Sequence, residues 1–264
     1  MPRLNALIAL ILLALAQPTL ADTSKIAIGD RSFILSEPAG TTGRPLPLVV
    51  LLHGSGGSGE SMSNNLPLFD AKAPTEFRAA FLDATFYTTG SGGKGRVWND
   101  GCCGPDVRPV NVDDVAYIDA VIDLLRSRGL VAGDKVAVVG HSNGAKMAYR
   151  YACERGNKVF AMVAVSGGMI MKDCVGMSGM RVLNLHGSND ETAPIGGGYG
   201  KGNPAILQAN IADAGASLQA QGATWSLQVV SGAAHVLPSI DSKLKSTTGK
   251  DLVNTLIDFI FPSP

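Results

Sequence analysis

The chain has 264 residues, with 22 Lys or Arg against 22 Asp or Glu, so its formal net charge is zero; 45% of the residues are hydrophobic and 17% are charged. That balance offers no basic footprint for nucleic acid, and the apolar fraction is too high for a disordered chain. The 32 glycines gather at motifs without a collagen period, and at this length one large α/β domain is as compatible as two small ones.

In chain order, the first segment reads as an export signal and not as part of the fold. Arg3 supplies a positive start, and Leu4–Leu15 is apolar apart from Asn5. Ala14-Leu15-Ala16 and Thr19-Leu20-Ala21 both offer small residues for cleavage. Cleavage after Ala21 is the preferred reading, and after Ala16 the alternative. The apolar run is short of the ~20 residues of a membrane span, and no later run approaches that length. The expected organisation is a signal peptide at 1–21 and a single catalytic domain at 22–264, exported to the periplasm or medium, with no membrane partner after cleavage and no nucleic-acid partner.

Apolar runs then alternate with helical patterns. Leu46–Leu52, Lys135–Val139, Phe160–Val165, Arg181–Leu185 and Thr224–Val230 are short, rich in β-branched residues and closed by glycine or a turn. Such runs suit strands buried on both faces of a parallel sheet. Asn111, with Asp114 three residues on, reads as a capping box before a helix striped by Val115, Ile118, Ile122 and Leu125 and stopped at Gly129. Asn143–Glu154, Ala205–Gln221 and Leu252–Phe261 read as further helices, the last closed by Pro262. Strands alternating with helices predict one α/β domain, a mostly parallel sheet with helices on both faces. The Gly- and Pro-rich stretch Gly90–Pro109 reads as an excursion over the sheet's carboxyl edge, where α/β proteins bind ligands.

Four cysteines, Cys102, Cys103, Cys153 and Cys174, favour two disulfides in an exported chain, with three pairings open. Adjacent Cys102 and Cys103 are expected to reach different partners, because bonding each other strains the backbone.

Gly140-His141-Ser142-Asn143-Gly144 is a G-x-S-x-G pentapeptide between an apolar strand and an amphipathic helix, the context of a nucleophile elbow. Such a turn holds the serine in an uncommon backbone conformation at a helix N-terminus, where amides favour developing negative charge. A serine hydroxyl needs a base, and the acid and histidine that serve such an elbow follow it in sequence. His53 precedes Ser142, and His141 must turn its ring away from it. His186 reads as a packed strand-end residue. His235, on a loop after the last strand, is the expected base. Asp190, at the carboxyl end of a strand, is the expected orienting acid, ahead of Asp173 and Glu191. The amides of Ser55, in the glycine-rich loop after Leu46–Leu52, and of Asn143 are the expected oxyanion donors.

These motifs, with Trp98-Asn99-Asp100-Gly101-Cys102-Cys103 and Val112-Asp113-Asp114-Val115 between them, resemble the secreted α/β-hydrolases of the polyhydroxybutyrate depolymerase and feruloyl esterase group, which shades into acetylxylan esterases. The resemblance spans roughly residues 30–260. It implies an α/β-hydrolase fold, a Ser142–His235–Asp190 triad without cofactor or metal, and a small-molecule or polymer ester as substrate: feruloyl or acetyl esters, or hydroxybutyrate oligomers. Ala145, Lys146 and Val236 depart from the group's usual residues.

Other readings are weighed beside these. Asp113 and Asp114 read as helix capping, not as a catalytic pair. Trp98 reads equally as a substrate-pocket wall or as core, and Met171, Met177 and Met180 as gap fillers. A non-catalytic carbohydrate- or polymer-binding protein on the same scaffold is the alternative function. A zinc hydrolase built on His53, His186 and His235 lacks any ligand spacing in its favour.

Overall fold

The structure, a computed structural model, describes residues 22–68, 76–88, 90, 92–170, 174–201 and 203–263. The expected signal segment, Met171 and Asp173 lie outside them. The elements run β1 (Asp22–Ile28), β2 (Arg31–Glu37), β3 (Leu46–Leu52), α1 (Gly59–Asn65), β4 (Arg78–Leu82), β5 (Thr85–Thr88), β6 (Lys94–Val97), α2 (Asp114–Ser127), β7 (Val131–His141) and α3 (Asn143–Arg155). They continue through β8 (Ala161–Val165), β9 (Arg181–Gly187), β10 (Gly198–Gly200), β11 (Asn203–Gln208), α4 (Ile211–Ala220), β12 (Thr224–Val230), α5 (Leu237–Thr248) and α6 (Leu252–Ile260).

Eight strands form one sheet in the order β1-β2-β4-β3-β7-β8-β9-β12. β1 and β2 pair antiparallel, as do β2 and β4, and every pairing from β4 to β12 is parallel. Side chains of a strand alternate between faces, and here both faces are dry. Leu48, Val50 and Leu52 of β3 join Val136 and Val138 of β7 in one apolar cluster, against Ile118, Val121 and Ile122 of α2 and Met147 and Ala148 of α3. Val49 and Leu51 join Ala137 and Val139 in the other, against Met62 of α1, Leu237 and Ile240 of α5, and Leu256 and Ile257 of α6. This double burial is why β3 reads as an unbroken apolar run instead of an alternating one.

The five sequence-predicted strands correspond to β3, β7, β8, β9 and β12. Three expectations are corrected. The helix expected at Ala205–Gln221 is β11 followed by α4. β11 pairs antiparallel with β10, and the Asn210 side chain accepts the Ala212 and Asp213 amides, which starts the helix only there. The cap of α2 is Asp113, whose carboxylate accepts Ala116 N–H at 2.9 Å, and not Asn111. Asp114 is no cap: it is fully buried, pairs with Arg31 and accepts Asn99 N–H at 2.6 Å.

The cysteine expectation is also corrected. The disulfides join Cys102 to Cys103 and Cys153 to Cys174. The end of α3 packs so closely on the Cys174 loop that a Cβ added at Gly156 would meet the Gly176 carbonyl oxygen. This sets the Cα atoms of Cys153 and Cys174 4.8 Å apart, within the usual span of a disulfide. Cys102 and Cys103 are left to each other. Among the described residues, no helix is long and apolar enough to cross a membrane.

Candidate active site

The carboxyl ends of β3, β7, β9 and β12 carry the expected site residues to one rim. Ser142 stands between β7 and α3 with φ 55° and ψ −116°, a left-handed conformation rare for a residue with a side chain. The flanking glycines make the turn possible. A Cβ at Gly140 would sit 2.1 Å from the Gly144 carbonyl oxygen, and one at Gly144 would sit 2.1 Å from that of Leu52. Ser142 N–H donates to the Val165 carbonyl at 2.9 Å, which ties the elbow to β8.

His235 lies on the loop between β12 and α5. Its Nε2 is 2.8 Å from Ser142 Oγ, and its Nδ1 is 2.8 Å from Asp190 Oδ2. With Nδ1 protonated toward the carboxylate, Nε2 is left to accept the serine proton. Asp190 Oδ1 accepts the Thr192 and Ala193 amides at 3.0 and 2.8 Å. Burial alone would raise the Asp190 pKa; hydrogen bonding from His186 and His235 and from the Ala193 amide outweighs it, holding the carboxyl well below the usual carboxylate range. Asp190 is therefore an anion at neutral pH. The competitor Glu191 is exposed and pairs with Lys201 at 3.1 Å.

The other histidines are held apart from the serine. His186 is fully buried, donates from Nε2 to the Ala193 carbonyl at 2.7 Å, and keeps Nε2 3.4 Å from Asp190 Oδ2. It is the expected strand-end residue, with a further contact to Asp190 that its sequence position did not reveal. His141 turns away from Ser142 and donates from Nε2 to the His235 carbonyl at 2.9 Å, so it fixes the backbone that carries the His235 ring. His53 donates from Nδ1 to the Gly54 carbonyl at 2.7 Å and accepts Ala84 N–H on Nε2 at 3.1 Å. Burial is the main reason that the pKa values of both His53 and His141 fall to about 4, so both rings are neutral at pH 7.

Ser55, Asn143, Ser142 and His235 line one cavity of ≈ 300 Å³. Asn143 is the first residue of α3, so its amide has no acceptor within the helix. Its side chain has other work: Oδ1 accepts Trp98 N–H at 2.8 Å, and Nδ2 donates to Asp100 Oδ2 at 2.7 Å. Asn143 thus clamps the 98–100 loop over the elbow. Of the two readings of Trp98, pocket wall and core, the structure supports core, and its assignment to substrate binding is corrected. The indole is 0% exposed, packs between His53 and Tyr117, and donates from Nε1 to the His53 carbonyl at 2.9 Å. Met177 and Met180 are buried in the same core cluster as Trp98, as gap fillers.

Sequence reasoning named Asp100 and Lys146 without giving either a place at the site, and passed over Arg108. All three are buried, and Arg108 and Lys146 line the cavity of Ser142. Their signal was a charged residue inside an otherwise apolar or motif-rich stretch. A larger cavity of ≈ 660 Å³, lined by the Cys102–Cys103 pair, Tyr199 and Leu207, shares Gln208 with the smaller one.

A parallel sheet with a strand–serine–helix turn, and a later acid and histidine delivered to the same edge, defines the α/β-hydrolase class. Residues 49–251 match the alpha/beta hydrolase family, and the chain belongs to it. Feruloyl esterase C of Emericella nidulans is 28% identical over 186 residues, which cover 69% of this chain and 63% of that enzyme. The chain therefore spans less than two thirds of that relative's length. Among solved structures, TT1662 from Thermus thermophilus aligns with a TM-score of 0.62 at 18% identity, over 93% of this chain and 100% of that one. A phospholipase/carboxylesterase from Dyadobacter fermentans aligns with a TM-score of 0.58 at 18% identity, over 85% and 99%. At such identities these two likenesses concern the fold.

Proposed function

We propose that the chain is an exported serine esterase that hydrolyses carboxylic esters through an acyl-enzyme. One observation carries the reading: the hydrogen-bonded line from Ser142 Oγ through both ring nitrogens of His235 to Asp190, with 2.8 Å at each step. Ser142 Oγ attacks the ester carbonyl while His235 Nε2 takes its proton. The new C–O bond pushes charge onto the carbonyl oxygen, which the Ser55 and Asn143 amides receive; one such donor is worth about 2.7–4 kcal/mol of barrier. Asp190 keeps the imidazole oriented and stabilises the imidazolium. The proton passes to the departing alcohol as the ester C–O bond breaks. A water molecule then attacks the acyl-enzyme with His235 again as base, releasing the acid and restoring Ser142.

Residues 1–21 are the export signal in this reading, and 22–264 one catalytic domain. The substrate is a feruloyl or acetyl ester or a hydroxybutyrate oligomer. The likeness to Feruloyl esterase C supports the first, and the larger cavity beside the triad has room for the remainder of such a molecule. Labelling with a fluorophosphonate tests the chemistry. The wild-type protein is expected to gain one adduct at Ser142 and lose p-nitrophenyl ester turnover, and Ser142→Ala to show neither adduct nor turnover, with kcat lower by up to about 10⁶-fold. Absence of an adduct on the folded wild-type protein refutes the reading and supports a binding protein on the same scaffold.

A further inference from the structure

The cavity beside Ser142 carries positive charge that ester hydrolysis itself does not use. Lys146, near the start of α3, is 4% exposed and lines the same cavity as Ser142 and His235. Among the described residues its ammonium makes no hydrogen bond and no ion pair. Arg108, also 4% exposed, lines the cavity from the loop ahead of α2. Its Nε lies 3.2 Å from both carboxylate oxygens of Asp100, and its Nη1 donates to the Val107 carbonyl at 3.2 Å. Asp100 also accepts Asn143 Nδ2 at 2.7 Å and Cys102 N–H at 3.2 Å. One carboxylate, already engaged by three donors, therefore faces two buried cations.

Elementary electrostatics opposes this placement of Lys146. A buried charge is costly unless it is paired. A lysine at the N-terminal end of a helix stands against the positive end of the helix dipole. Burial lowers the Lys146 pKa to about 8, with the attraction of Asp100 and the repulsion of Arg108 as the smaller influences; the side chain still carries its proton at neutral pH. The same features become favourable once an anion enters the cavity.

We propose that this cavity selects esters that bear a free carboxylate on the same molecule, held by the Lys146 ammonium beside Arg108, while Ser142 attacks the uncharged ester carbonyl. The inference rests on the serine esterase reading and narrows its substrate class. Lys146 is a specificity-determining residue in it: it binds the distal carboxylate and takes no proton in the reaction. A carboxylate on the acyl side and one on the alcohol side have the same chemistry, and paired substrates separate them.

The test is pH-stat kinetics at pH 7 on two pairs of esters. Monoethyl succinate against ethyl succinamate places the charge or its neutral isostere on the acyl side; 3-acetoxypropanoate against 3-acetoxypropanamide places it on the alcohol side. The wild-type protein is expected to favour the anionic member of one pair by about tenfold or more in kcat/KM, chiefly through KM, as befits a charge-assisted contact. Lys146→Met is expected to abolish that ratio and Lys146→Arg to keep most of it. Succinate, but not succinamide, is expected to inhibit the wild-type protein competitively, which gives a readout should Lys146→Met fail to fold. Turnover of the neutral esters without any anionic preference, or an unchanged ratio in folded Lys146→Met, overturns this inference alone. Failure of the wild-type protein to hydrolyse any of the four esters counts against the esterase reading itself.

Discussion

Gly144→Ala puts the elbow to a test in which two effects have opposite signs. By helix propensity alone, alanine in place of glycine stabilises a helix by about 1 kcal/mol. The structure predicts the reverse. The added methyl would lie 2.1 Å from the Leu52 carbonyl oxygen and 2.5 Å from that of His53. Ordinary contact needs about 3.5 Å, so α3 and β3 must separate by on the order of 1 Å. β3 cannot yield, because every residue in it is buried and it is bonded on both sides, to β4 and β7. α3 must move instead, and Ser142 lies only two residues from the substitution. Overpacking of this kind costs about 1–3 kcal/mol, which lowers Tm by roughly 2–12 °C in a protein of this size. A shift of about 1 Å at the nucleophile costs about 10²-fold in kcat. Differential scanning calorimetry and steady-state ester hydrolysis on the purified variant measure both. A Tm equal to or above that of the wild-type protein, with kcat within about threefold, would refute the argument that the close approach of α3 to β3 positions Ser142.

Two further outcomes are expected. Asp190→Asn keeps the fold but leaves the imidazole without its anionic orienter, and kcat falls by about 10⁴-fold; a loss under about tenfold in the folded variant contradicts the role given to Asp190. Stability should also depend on pH through His53 and His141. Both have folded pKa values of about 4, below the ~6.5 of an unfolded chain, so their contribution is complete above pH ~6.5 and is lost as the pH falls toward 4. Within that window each histidine lowers the unfolding free energy by up to about 1.4 kcal/mol per pH unit, and a urea-unfolding free energy that is flat between pH 7 and pH 5 is incompatible with neutral buried rings.

The sheet's parallel centre was legible because its strands are dry on both faces. Leu46–Leu52 has no polar residue to interrupt it, so continuous burial writes a continuous apolar run. The edge was illegible for the opposite reason. β1 is exposed along most of its length, so Asp22–Ile28 carries no run at all. β11 deceived because a short half-buried strand and the start of a helix both accept Pro-Ala-Ile-Leu-Gln, and only pairing with β10 separates them. The pairing of the four cysteines depended on the packing of the α3 terminus against the Cys174 loop, a contact between distant segments.

Local chemistry alone marked Ser142, since a glycine is needed on either side where strand and helix backbones nearly touch, and that need is met within five residues. The order of residues then left few candidates for Asp190 and His235. Whether those three side chains meet is a matter of chain crossings: the rim where β7, β8, β9 and β12 end in turn exists only after the sheet has assembled. The same assembly hides Trp98 beneath the site and leaves Lys146 lining the cavity with no ion pair among the described residues, because burial and pairing belong to the space between segments and not to any segment by itself.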